Sequence, residues 1–318
     1  MRHIGYNIDH GGLHYSEIMS LSKLGENIGY DSVAFYDHLY SLSDEKEICL
    51  ETWSLLSGIA LNTKKISLLP LVTNNLFRHP GVLAKMAATV DNLSKGRLIF
   101  GIGAGWYEKE AIDFGYKFPD VKVRIAMLDE SIQVISKLWT EEKTTFKGKH
   151  YSLENAESLP KPMQKPHPPI LVGGKAKGVL KIASGLADWS NFTLRNLGVE
   201  GARTRLGFLK DYCSKNNRNY DQIFKTISGP CFFAKSDQEL EAELDADSKR
   251  RELSKKETRE MYEKSAIFGT SEQVIDQIKR YEKLGIQGAM FRFYKPMQAE
   301  KAKLFAEHIM PEIRGRAL

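Results

Sequence analysis

Residues 95–119 read KGRLIFGIGAGWYEKEAIDFGYKFP. Leu98, Ile99, Phe100 and Ile102 form an apolar run that predicts a buried strand, and Gly101, Gly103 and Gly105 strip side chains from its carboxyl end. Trp106, Tyr107, Glu108 and Glu110 follow and lead into an expected helix. Glycines crowd a strand end where something approaches the backbone closely. Such strand ends are where α/β proteins bind ligands. G-I-G-A-G does not have the G-x-G-x-x-G spacing of a dinucleotide fingerprint, and no acidic residue follows at a second strand end. A close-packed turn with no ligand is the alternative.

Working outward, the chain yields eight strand-type runs: His3–Ile8, Ser32–Asp37, Ile66–Thr73, Arg97–Gly103, Pro169–Gly173, Trp189–Phe192, Lys225–Ala234 and Gly288–Tyr294. Helix-period segments separate most of them, among them Ser16–Gly29, Thr52–Leu61, Pro80–Leu93, Ile125–Trp139, Lys175–Leu186, Ala202–Lys215 and Ser271–Leu284. Gly29, Gly96 and Gly285 precede strands, as glycines that end helices do. Alternating β and α implies a parallel sheet, and eight repeats imply an α/β fold of the (β/α)8 barrel type. The 318 residues then form one barrel domain. It carries a proline-rich insertion at about 140–168, with an expected hairpin of Thr144–Phe146 and His150–Leu153. A charged helical excursion is expected at about 237–264, either solvated or serving as a lid or subunit contact.

Composition narrows the function. A net charge of +6, from 46 basic and 40 acidic residues, is mild, and no basic block interleaved with aromatics suggests nucleic acid. Cys49, Cys213 and Cys231 are scattered and odd in number, which supports neither a disulfide framework nor a zinc knuckle. No long apolar run predicts a signal peptide or a membrane span, so a cytoplasmic protein is expected. His10 and His14 lack a carboxylate at ligand spacing, so no metal is expected. No G-x-S-x-G elbow is present.

Several strand ends turn polar together, as they would around a ligand. Asn7 and Asp9 end the first, and Asp37 and His38 the second. His38 would move a proton near neutral pH, and Asp37 would accept a ligand N–H. The same dipeptide fits a helix cap and a satisfied histidine equally well. Thr73, Asn74 and Asn75 end the third strand. Gly173-Gly174-Lys175 ends the fifth and opens a helix whose amides suit a phosphate, although a plain β-to-α turn reads the same. Trp106 stands out among the four tryptophans because glycines precede it at a strand end.

Nearly the whole chain resembles the luciferase-like monooxygenase superfamily, and within it the branch that uses the deazaflavin coenzyme F420. The resemblance rests on SVAFYDHL (32–39), LVTNNLFRHPGVLAKMAATVDNLSKGRLIFGIGAGWYEKE (71–110), KPMQKPHPPILVGGK (161–175) and FGTSEQVIDQIKRYEKLGI (268–286). It implies a barrel whose mouth holds the ring against a third-strand bulge, with a non-prolyl cis peptide at about Pro70–Leu71 or Leu71–Val72. It further implies that His38 is catalytic and that Asp37, Leu71, Val72, Thr73, Gly103, Gly105, Gly173 and Gly174 hold the cofactor. Gly103 and Gly105 would leave room for the ring, and Asn7, Asn74 and Trp106 would face the substrate. Trp106 stands where a sugar-phosphate dehydrogenase of this family carries a catalytic glutamate, a departure that argues against that substrate. The implied activity is hydride transfer between the deazaflavin and a small organic molecule, in a homodimer. An FMN-dependent two-component monooxygenase and a non-catalytic flavin-binding protein are the alternatives.

Overall fold

A computed structural model describes residues 1–293 and 295–314. Eight parallel staves form a ring: His3–Asn7, Ser32–Phe35, Ser67–Pro70 continued by Thr73–Asn74, Phe100–Gly103, Ile170–Gly173, Trp189–Thr193, Phe224–Ala234 and Gly288–Arg292. The ring is nearly closed. The first part of the third stave pairs with the second stave, and its short continuation pairs with the fourth through Thr73↔Ile102 and Asn74↔Gly103. A bridge at Leu68↔Leu98 completes the seam. The third run, expected to be continuous over Ile66–Thr73, is thus broken at Leu71–Val72, where the peptide is cis. The eighth stave ends at Arg292, and Tyr294, expected within it, lies outside the described residues.

Side chains alternate across each stave. One set fills the barrel, where Ala34, Leu69, Ile99, Leu171 and Met290 pack together. The other set meets the helices in a larger layer that includes Ile4, Val33, Leu68, Phe100, Val172 and Phe291. This double burial explains why the strands read as near-continuous apolar runs. Gly29, Gly96 and Gly285 adopt φ values of +89°, +81° and +96°, the left-handed turn that stops each helix and returns the chain to the sheet. Arg97 locks the seam by donating to Ser94 O, Ala60 O, Thr63 O, Ile66 O and Thr63 Oγ1.

Two excursions leave this plan. The insertion is an antiparallel hairpin of Thr144–Lys147 and Ser152–Ala156, its second strand later than the expected His150–Leu153. The cause is Glu130, whose carboxylate accepts from the amides of Lys149, His150 and Tyr151 and holds them in the turn. The charged segment forms two helices, Asp237–Arg251 and Lys255–Ser265. They pack over a small second core of Phe232, Ala234, Leu240, Leu244, Tyr262 and Phe268. A strand absent from the sequence reading, Ile267–Thr270, pairs with the outer part of the seventh stave there, at Cys231–Ala234. Its four residues are too few to show a period.

Candidate active site

The glycine run acquires a direct physical reading at the break in the third stave. A Cβ on Gly101 would lie 2.0 Å from the carbonyl oxygen of Pro70. On Gly103 it would lie 2.8 Å from Val72 Cγ2, and on Gly173 2.8 Å from Val72 Cγ1. On Gly105 it would meet Asn74 Oδ1 at 2.6 Å. Real Cβ atoms do not come this close to their neighbours. The fourth and fifth staves therefore give up side chains to seat the broken third stave, with the Val72 side chain between Gly103 and Gly173. The expectation that Gly103 and Gly105 open space directly for a ring needs correcting: Val72 and Asn74 take that space, and the glycines act through the bulge they seat.

Beyond the second stave, two adjacent residues have opposite surroundings. Asp37 is buried and accepts from Arg78 Nη1 at 2.7 Å, Arg78 Nη2 at 2.9 Å and the Asn74 amide at 2.9 Å. Burial raises the Asp37 carboxyl pKa, against the pull of Arg78. Burial also opposes the charge on Arg78, but Asp37 and Glu51 outweigh it and hold the guanidinium pKa above its ordinary value. The result is a fixed ion pair that ties the end of the second stave to the turn after the third. His38 instead meets Glu110, with Nδ1 2.8 Å from Oε2. The other Glu110 oxygen accepts the amides of Leu39 at 2.5 Å and Tyr40 at 2.9 Å. Glu110 is fully buried, on the short helix Glu108–Asp113. A carboxylate only accepts, so it places the His38 proton on Nδ1 and leaves Nε2 to exchange a proton with something else.

The rest of the mouth is polar. Asn7 Oδ1, Thr73 Oγ1 and both amide atoms of Asn75 are buried without a hydrogen-bond partner among the described residues. Buried polar atoms are ordinarily paired, so these mark a place where a ligand or water completes the set. Trp106 is 60% exposed, lies edge-on to His38 with centroids 5.5 Å apart, and stacks on Tyr107 at 5.2 Å. The Gly174 amide donates to Asn191 O at 3.3 Å, so the amides left for an anion are those starting at Lys175, ahead of the helix Lys177–Leu186. His10 lies tilted against Tyr36 with ring centroids 4.1 Å apart, and burial pushes its pKa down to about 4. His14 lies at the start of the helix Tyr15–Asn27, where Glu17 accepts its amide. No group of three or more metal-ligating side chains forms among the described residues, and no helix among them is long and apolar enough to cross a membrane.

A profile of the luciferase-like monooxygenases matches residues 2–288. The chain belongs to the luciferase-like monooxygenase family. An F420-dependent glucose-6-phosphate dehydrogenase of Microbacterium testaceum is 26% identical over 95% of this chain and 94% of that protein. The same-named protein of Nakamurella multipartita is 29% identical, over 65% of this chain and 61% of its own length. Among solved structures, an F420-dependent secondary alcohol dehydrogenase in complex with an F420-acetone adduct superposes with a TM-score of 0.83. It is 20% identical over 99% of both chains, a likeness of fold.

In this member of the luciferase-like monooxygenase family, the residues named from the sequence lie as follows: Asp37 accepts the Asn74 amide, Trp106 lies edge-on to His38, Asn7 ends the stave beside theirs, and Gly103, Gly105 and Gly173 meet the third-stave break. The sequence reading gave no site role to Glu110 or Arg78. Glu110 lies 72 positions from His38, and Arg78 lies 41 from Asp37. Each pair spans at least one whole helix and one stave, which no local pattern reports. The one available signal for Glu110 was an acidic residue in the first turn of a helix that follows a glycine-rich strand end.

Proposed function

We propose that this family member is an F420-dependent oxidoreductase that moves a hydride between the deazaflavin and a small organic substrate. The observation that carries the reading is the His38–Glu110 pair, which leaves one imidazole nitrogen available at the mouth, next to the Leu71–Val72 bulge. The family, and relatives whose names specify F420 over most of the chain, support it.

The residues fit such a group. A planar ring needs an apolar backing and polar partners at its edge. Leu71 and Val72 join the apolar set inside the barrel and supply the first. Thr73 Oγ1 and Asn7 Oδ1, buried and unpartnered, suit the second. Coenzyme F420, when bound, supplies a ring carbon that accepts or returns a hydride, a two-electron exchange. Leu71, Val72 and Thr73 would hold it directly, while Gly103, Gly105 and Gly173 would act by seating the bulge. Asp37 would contribute through the position it gives Asn74, and Gly174 through the turn that presents the Lys175 amide.

His38 has the proton to manage. As a substrate C–H bond gives up its hydride, the hydroxyl proton passes to Nε2 and a carbonyl forms; in reduction Nε2 returns the proton. Glu110 stabilises the doubly protonated imidazole and keeps the ring oriented. Trp106 would cover the substrate with an aromatic face, and Asn7 and Asn74 would orient it.

Mixing the purified chain with F420 and with FMN, and following each chromophore, tests the reading. Tight F420 binding is expected. Tight FMN binding with no F420 binding would overturn it. His38→Ala should bind F420 as the parent does yet lose turnover; unchanged turnover would remove the proton role from His38, and F420 binding without any turnover in the parent would leave a binding protein instead.

A further inference from the structure

We infer that the substrate carries a negative charge, a carboxylate or a phosphate ester, and that Arg292 binds it. Arg292 ends the eighth stave and is partly buried. Met290, two residues earlier, lies in the apolar set inside the barrel, whereas Ala289 and Phe291 belong to the outer layer. Strand alternation thus aims Arg292 inward, one layer above Met290 and at the mouth. Its backbone pairs with the seventh stave, but its side chain makes no hydrogen bond, ion pair or ring contact with any described residue. Other arginines of the barrel are committed: Arg78 to Asp37 and Glu51, and Arg97 to carbonyl and hydroxyl oxygens.

The acids at the mouth do not neutralise Arg292. Asp37 is taken by Arg78, and Glu110 by His38 and two backbone amides. Asp9 is buried beyond the first stave with an unpartnered Oδ1, and it forms no ion pair with Arg292. A guanidinium partly withdrawn from water without a counter-charge is unfavourable until an anion completes it, and its planar fork matches carboxylate and phosphate oxygens.

Position separates a substrate from the cofactor. The first stave pairs with the eighth through Tyr6↔Phe291, so Asn7 follows beside Arg292, and the second stave, which leads to His38, comes next. Arg292, Asn7 and His38 thus stand on three consecutive staves. Two inter-strand steps are on the order of 10 Å, the span of a small hydroxy or oxo acid or a short phosphate ester. The bulge and the Gly173–Gly174 turn lie on the third to fifth staves, which the first and second staves separate from Arg292 along this side of the ring. This assignment rests on the function proposed above, which puts the cofactor's ring and phosphate on the third to fifth staves.

Calorimetric titration of the full chain tests it, with and without F420, using benzoate, benzamide and inorganic phosphate as probes. At least one anion should bind, and benzamide at least tenfold more weakly than benzoate if benzoate is that anion. Arg292→Gln should weaken the anion at least tenfold, Arg292→Lys should restore most of the loss, and both should keep the parent's melting temperature and F420 affinity. Absence of anion binding in either condition, equal binding by Arg292→Gln, or equal binding of benzamide and benzoate would overturn the proposal. So would loss of F420 affinity in Arg292→Gln, which would assign the arginine to the cofactor. Failure of the parent chain to bind F420 would overturn the proposed cofactor instead, and the titrations without F420 would still decide for or against Arg292.

Discussion

On the wall built by the third, fourth and fifth staves, the chain itself takes the available space: Val72 lies between Gly103 and Gly173, and Asn74 Oδ1 lies against Gly105. On the wall built by the eighth, first and second staves, polar groups are left over: Asn7 Oδ1, one nitrogen of His38, and Arg292. The first wall is a problem of steric fit solved by removing Cβ atoms. The second is a set of unfinished electrostatic and hydrogen-bonding partnerships. A ligand site needs both, a shaped backing that does not move and groups whose partners arrive with the ligand.

Substitutions on the two walls should fail differently. His38→Ala should lower turnover by about 10²–10⁴-fold, the usual worth of a positioned general acid or base, while leaving the melting temperature near the parent's. A large stability loss would mean that His38 belongs to the structural wall after all. Glu110→Gln should cost about 10–100-fold in kcat, because the amide can present a donor to Nδ1 and favour the wrong tautomer. Its pH–rate profile should shift as well, which a loss of packing alone would not produce.

On the opposite wall, Gly101→Ala should cost about 1–3 kcal/mol in urea unfolding, because the new methyl meets a backbone oxygen that cannot rotate away. Unchanged stability would show that the third and fourth staves have slack between them.

Acid should separate the walls less sharply. Burial is the largest cause that pushes His3 and His10 down to about 4, from an ordinary 6.5. Between those values the unfolded chain binds protons that the folded chain refuses. The contribution of these histidines to stability is therefore complete above pH 6.5 and is lost as the pH falls toward 4. The slope is up to about 1.4 kcal/mol per pH unit for each histidine. Melting curves from pH 7 downward should show it, and His10→Gln should flatten it; an unchanged slope would remove His10 from the account.

The smallest stability effect belongs to Trp106→Ala. With 60% of the residue exposed, its loss should change stability by less than about 0.5 kcal/mol, yet alter kcat/KM across a substrate panel. Equal kcat/KM for every substrate would place Trp106 outside the site.

Much of this was legible in the sequence because the signals were local. Apolar runs of strand length, helix-period segments between them and glycines ending the helices specify a barrel. Polar residues at successive strand ends specify a mouth, and residues 95–119 specify that one strand end is stripped of side chains. What fills the stripped space was not legible. The glycines of the fourth and fifth staves serve a side chain of the third, and that contact exists only once the staves are side by side. His38 and Asp37 are neighbours in sequence with the same polar signal, yet Arg78 closes one and Glu110 leaves the other half open. Arg292 carries no signal of its own within the expected strand Gly288–Tyr294; the alternation of the assembled ring is what turns it inward. Periodicity reports which face of an element is buried; which atoms satisfy one another across 41 or 72 positions is decided by chain closure, and only the assembled ring contains that information.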